Sequence, residues 1–135
     1  MKPRYQRAIV LNFFRGHPMR MLIGAVSLAL LAGCISPAMN EARSKSPTRV
    51  LSSAKPMPLV AECVKFSWQD EGVFGVDASA YINTDKPGQQ TVYTRSAESF
   101  ADLVSQGTGT AVSYYAKQPD DSAAMRRLAM LATCL

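Results

Sequence analysis

Side chains able to do chemistry are few in this 135-residue chain. Its single histidine is His17, and its only adjacent carboxylates are Asp70-Glu71 and Asp120-Asp121. A general acid/base pair needs two carboxyls held at fixed separation across a cleft. Both acidic pairs instead flank segments predicted to be helical, where turn and capping roles account for them. Neither pair runs on into the alternating oxygen ligands of an EF-hand, so no calcium loop is read there. Gln106-Gly107-Thr108-Gly109 lacks the lysine and the strand–helix setting of a phosphate loop, and reads as a turn. What remains is the sulfur of three cysteines, Cys34, Cys63 and Cys134.

Cys34 ends the sequence Leu31-Ala32-Gly33-Cys34, which follows an apolar run over 21–32 and a basic leader containing Arg15 and Arg20. This arrangement resembles a bacterial lipobox. The resemblance implies a lipoprotein signal peptide over 1–33, cleaved between Gly33 and Cys34. It further implies a diacylglycerol thioether on the Cys34 thiol and an acyl group on the new amino terminus. A thiol is required there because it is the nucleophile that accepts the lipid. The apolar run of about 12 residues is short of the roughly 20 needed to span a bilayer, so it reads as a signal core rather than a membrane helix. Two or more acyl chains anchor stably where one binds reversibly. A start at Met19 would give a compact signal with Arg20 as its charge. Ile35 and Ser36 lack the aspartate associated with inner-membrane retention, so the expected location is the periplasmic face of the outer membrane.

Cleavage at this point changes the rest of the chemistry. The whole chain carries a net charge of +5, but five of its fifteen basic residues precede Cys34 while all ten acidic ones follow it. The mature part is therefore neutral, and no nucleic-acid partner is expected. His17 is removed as well, and with it any Ser-His or Cys-His relay and the commonest zinc ligand. No catalytic residue, no metal site and no cofactor beyond the covalent lipid is expected. Lipidation of Cys34 leaves Cys63 and Cys134 as an even pair, which in an oxidising compartment is expected to form a disulfide. The alternative is two buried free thiols.

The elements that must position these residues start after a linker. Residues 34–57 are rich in serine, proline and basic side chains, without apolar periodicity, and read as a flexible tether of about 25 Å reach. Arg43, Lys45, Arg49 and Lys55 would keep it solvated or rest on anionic headgroups. The folded unit is then 58–135. A helix is predicted over 58–68, with Val60, Cys63, Val64 and Ser67 on one face and Trp68 extending the stripe. Alternation over 76–83 predicts a half-buried strand. Lys86-Pro87-Gly88-Gln89 fits a type II turn into a partner strand at 91–94. Residues 96–106 fit either a helix capped at Ser96 or a strand at 100–105; the glycine spacing favours the strand, turned at 106–109 into a strand over 110–115. A last helix begins at 119–122 with acidic caps. Ala124, Leu128, Leu131 and Leu135 form its inner stripe, with Cys134 on the flank.

The expected fold is thus α+β: a small antiparallel sheet of three to four strands, packed by an N-terminal and a C-terminal helix joined by a disulfide. Cys63…Trp68, Val112-Ser113-Tyr114-Tyr115 and Cys134-Leu135 make the chain resemble small uncharacterised lipoproteins of Gram-negative bacteria, a resemblance that implies no particular activity.

Tyr81, Tyr93, Tyr114 and Tyr115 lie on predicted strands, where exposed aromatics can mark a binding surface. The reading that follows is a non-catalytic, membrane-anchored envelope lipoprotein, an accessory or structural component that binds another envelope protein. The alternative is an inhibitor of a secreted, lysozyme-type enzyme, or a small-ligand binder. Lipid-anchored lysozyme inhibitors are all-β, and two predicted helices argue against them.

Overall fold

A computed structural model describes residues 35–75 and 77–135, so the expectations for the signal peptide over 1–33 and its start, for cleavage between Gly33 and Cys34, for the lipid on Cys34 and for Val76 lie outside the described residues. The described chain runs α1 (Ile35–Arg43), β1 (Arg49–Ser53), α2 (Met57–Gln69), a 3-10 turn (Asp70–Phe74), β2 (Ala80–Asn83), β3 (Gln89–Thr94), a second 3-10 turn (Arg95–Ala97), β4 (Ser99–Gln106), β5 (Gly109–Ala116) and α3 (Ser122–Cys134). The class is α+β, as the sequence leads one to expect. The sheet has five strands in the order β1-β5-β4-β3-β2, every pair antiparallel.

The fifth strand comes from the segment read as a tether, and this corrects the linker assignment for 34–57. Residues 35–43 are helical, and 49–53 add to the edge of β5. The physical reason is a set of polar anchors spread too thinly for apolar periodicity to reveal. The Thr48 hydroxyl accepts from the Ala116 N–H, and Thr110 Oγ1 donates to the Lys55 carbonyl. Ser53 Oγ and Lys55 Nζ donate to the last carbonyls of α3, those of Leu135 and Cys134. A cation at a helix C-terminus satisfies orphan carbonyls and complements the helix dipole.

Two turns form for the reasons the sequence suggests. The Gln89 N–H donates to the Lys86 carbonyl and Gly88 sits at φ +72°, the geometry of a type II turn. The segment open between helix and strand resolves as strand over Ser99–Gln106, preceded by the 3-10 turn, and the β4–β5 hairpin closes with Gln106 opposite Gly109. Gly109 is required by packing: a Cβ there would collide with the Ser53 carbonyl oxygen of β1. The strand expected over 76–83 starts only at Ala80, because the Asp77 carboxylate accepts from both the backbone and the hydroxyl of Ser79 and holds a local turn.

Helices α2 and α3 share one face of the sheet. Their core contains Val60, Val64 and Trp68 from α2 and Leu131 from α3, against Val92, Leu103, Val112 and Tyr114. Sulfur atoms of Cys63 and Cys134 are bonded, joining the two helices across 71 residues with Cα atoms 5.7 Å apart. The inner stripe of α3 is Ala124, Arg127, Leu131 and Cys134, so Leu128 and Leu135 flank the buried face and Cys134 lies in it. Helix α1 packs on the opposite face, where Met39, Ala97 and Phe100 form a second, smaller cluster. Among the described residues no helix is long and apolar enough to cross a membrane.

Candidate functional site

Each sheet face carries one polar cluster inside its apolar packing. On the α2/α3 face the cluster is built around Arg127, which is 5 % exposed, and Glu71, which is fully buried. Arg127 Nε donates to Glu71 Oε2 at 2.7 Å, and its Nη1 approaches Ser99 Oγ at 3.4 Å. Trp68 Nε1 donates to the Arg127 carbonyl at 3.0 Å, and Tyr114 Oη donates to the Ala124 carbonyl at 2.9 Å. The rings of Trp68 and Tyr114 meet edge-on, with centroids 6.2 Å apart. Burial raises the Tyr114 hydroxyl above the usual phenol range. Glu71 Oε1 has no hydrogen-bond partner and faces Arg126 Nε at 3.7 Å, an ion-pair distance beyond hydrogen-bonding reach.

The strands place this cluster beside a strained turn. Ser96 and Ala97 have φ of +59° and +52°, in the left-handed region that side-chain-bearing residues seldom occupy. Thr94 Oγ1 spans the turn, donating to the Ser99 carbonyl and accepting from the Ser99 N–H. Such conformations cost about 1–3 kcal/mol each and persist where the surroundings over-determine them.

On the α1 face, Arg43 reaches the sheet with a two-pronged grip. Its Nε and Nη2 each donate to a different Asp102 oxygen at 2.7 Å, while Thr91 Oγ1 donates to Asp102 Oδ1 at 2.7 Å. Burial alone would raise the Asp102 carboxyl, but the hydrogen bonds from Arg43 and Thr91 outweigh it and hold the group below its usual range. The hydrogen bonds to Asp102 in turn raise the Arg43 guanidinium. Its carbon also lies 5.2 Å from the Phe100 ring centroid, a cation–π contact.

Tyr81, Tyr93, Phe100 and Tyr115 form a row across four strands on this α1 face. Tyr81 is paired with Tyr93, Tyr93 with Phe100, and Phe100 with Tyr115. The centroids of Tyr81 and Tyr93 are 5.5 Å apart, and Phe100 and Tyr115 stack at 4.6 Å. The expected tyrosine surface therefore needs one correction. Tyr114 is 1 % exposed and belongs to the core of the other face, because neighbours in a strand point to opposite sides. Tyr93 and Tyr115 are partly covered by α1, and Tyr81, 45 % exposed, is the open end of the row.

No known family, characterised protein or solved structure matches the chain.

The chemistry open to the site follows from its own residues. Glu71 and Asp102, the two most buried carboxylates, are both held by guanidinium groups. The Asp120-Asp121 pair ends in a helix cap, with Asp121 Oδ2 accepting from the Ala123 N–H. A hollow of about 200 Å³ beside Arg127 mixes Glu98 and Asp121 with Lys117, and is smaller than a usual ligand pocket. No group of three or more metal-ligating side chains converges among the described residues.

The sequence points to neither Arg127 nor Asp102, and it suggests a turn or capping role for Glu71 and a solvated tether role for Arg43, where the structure pairs Glu71 with Arg127 and Arg43 with Asp102. The signal for Glu71 was present, since it extends the 60/64/68 stripe of α2 by three residues. Arg127 likewise fits the 124/127/131/134 spacing of α3, and only its charge masked its place in the buried face.

Proposed function

We propose that this protein is a lipid-anchored envelope lipoprotein whose small disulfide-clamped domain acts as a non-catalytic accessory component, binding another envelope protein. The observation that carries the reading is a boundary. The described unit, Ile35–Leu135, follows directly on Leu31-Ala32-Gly33-Cys34, the sequence that resembles a lipobox behind its apolar run. Signal cleavage before Cys34 would leave that unit intact, with its lipid one residue from α1. Such a chain has no free tether: α1 is held on the sheet by Arg43, so the domain would sit against the headgroups rather than about 25 Å above them. Its location would be the periplasmic face of the outer membrane. Helices α1, α2 and α3 fit poorly with the all-β inhibitor alternative.

Metabolic labelling with palmitate tests the anchor. The wild-type chain is expected to take up label and the Cys34→Ala variant none; equal labelling of both would sink the reading. Crosslinked recovery of the anchored chain from envelopes, beside the same variant, tests the accessory role. A partner recovered only with the anchored form supports it, and recovery independent of the anchor counts against it.

A further inference from the structure

We infer that the outer edge of β2, with the groove between it and α2, is a self-association surface that pairs with the same edge of a second copy. β2 ends the sheet order with no strand on its outer side among the described residues, and of its backbone groups the Ala80 carbonyl accepts from Gln69 Nε2 of α2 at 3.0 Å. Exposed edges of this kind are usually blunted by short length, proline, charge or a bulge, and of these β2 has only its four-residue length. Ala80-Tyr81-Ile82-Asn83 contains neither proline nor charge, and its register with β3 is unbroken.

Along this edge runs a groove of about 480 Å³ whose walls include Pro58, Glu62 and Lys65 of α2 and Ile82 of β2. A strand added to β2 would direct its helix-side side chains into that groove, in the manner of strand addition. Beside the same stripe of α2, Leu59 and Phe66 are 64 % and 57 % exposed.

Charge and symmetry indicate what occupies it. A two-fold axis brings one patch against itself, so each feature must be its own complement. Glu62 and Lys65 satisfy this condition: they lie three residues apart on α2, paired at 2.8 Å, and both line the groove. Antiparallel α2 helices in two copies would set each Glu62 near the partner copy's Lys65. On the other sheet face, the aromatic row ends at half-exposed Tyr81, and edge pairing would continue it into the second copy's Tyr81. The opposite edge of the sheet lacks this complementarity. β1 is bracketed by Arg49 and Lys55, and antiparallel pairing there would bring like charges together.

Sedimentation equilibrium of the full, membrane-extracted chain in detergent tests the inference. Wild type is expected at twice the single-chain protein mass. Tyr81→Lys, Glu62→Lys and Lys65→Glu are each expected at the single-chain mass with an unchanged circular dichroism spectrum. Mixing the Glu62→Lys and Lys65→Glu variants is expected to restore the double mass, because each supplies the charge the other lacks. A wild-type chain that sediments as a single copy overturns the inference. So does a double mass that survives Tyr81→Lys, or single-charge variants that fail to recombine.

Discussion

Arg43 and Asp102, 59 residues apart in sequence, are joined by two hydrogen bonds of 2.7 Å that fix α1 to the sheet face opposite α2 and α3. This bond set makes the first turns of the described chain part of the domain rather than a leader to it. Arg43→Ala would leave Asp102 with Thr91 as its remaining short partner in a partly buried position. The expected loss is about 2–3 kcal/mol, since bonds to charged groups are the costly ones to remove. Urea unfolding measures that loss, and hydrogen exchange should show amide protection falling first in 35–43.

The same pair sets an acid limit. The Asp102 carboxyl is held below its ordinary value in the folded chain. A depressed carboxylate adds stability that is complete above its unfolded pKa of about 3.9 and disappears as the pH falls through the lower, folded value. Protection of α1 should therefore be constant down to about pH 4 and decline only below it. In Asp102→Asn that acid step should be absent from an exchange-versus-pH series.

On the other face, Arg127 and Glu71 are buried together, so removing one leaves the other's charge without its partner. Glu71→Ala is expected to cost about 3–5 kcal/mol. The double change Glu71→Leu with Arg127→Met should cost less than the sum of the single changes, because no orphan charge remains. Chemical denaturation of the four chains, as a double-mutant cycle, measures the coupling.

Which parts of this arrangement the residues disclosed follows from how each is held. Apolar periodicity disclosed α2 and α3, since Val60, Val64 and Trp68, and Ala124 and Leu131, recur at helical spacing and face one core. Turn chemistry disclosed two hairpins, because Gly88 and Gly107 occupy backbone conformations that other residues disfavour. Residues 35–53 show no local pattern because α1 and β1 are held by single apolar residues, Met39 and Leu51, by the ladder of β1 to β5, and by the polar contacts of Arg43, Thr48 and Lys55 to residues more than 45 positions away. Tyr114 and Tyr115 share a residue type, but strand parity sends Tyr114 into the main core and Tyr115 to the α1 face.

The disulfide closes a loop of 71 residues between α2 and α3. Restricting so long a loop in the unfolded chain should contribute about 4 kcal/mol. Replacing both Cys63 and Cys134 by alanine should lower the urea midpoint by the equivalent amount, and adding reductant should lower the wild type but not the variant.

Under the proposed function the mature chain begins at a lipidated Cys34, directly ahead of the unit Ile35–Leu135. Intact mass measurement of the protein extracted from membranes tests it most directly. The expected mass is that of residues 34–135 plus a diacylglyceryl group and an amino-terminal acyl chain. A mass matching residues 1–135, or a cleaved chain without lipid, would contradict it.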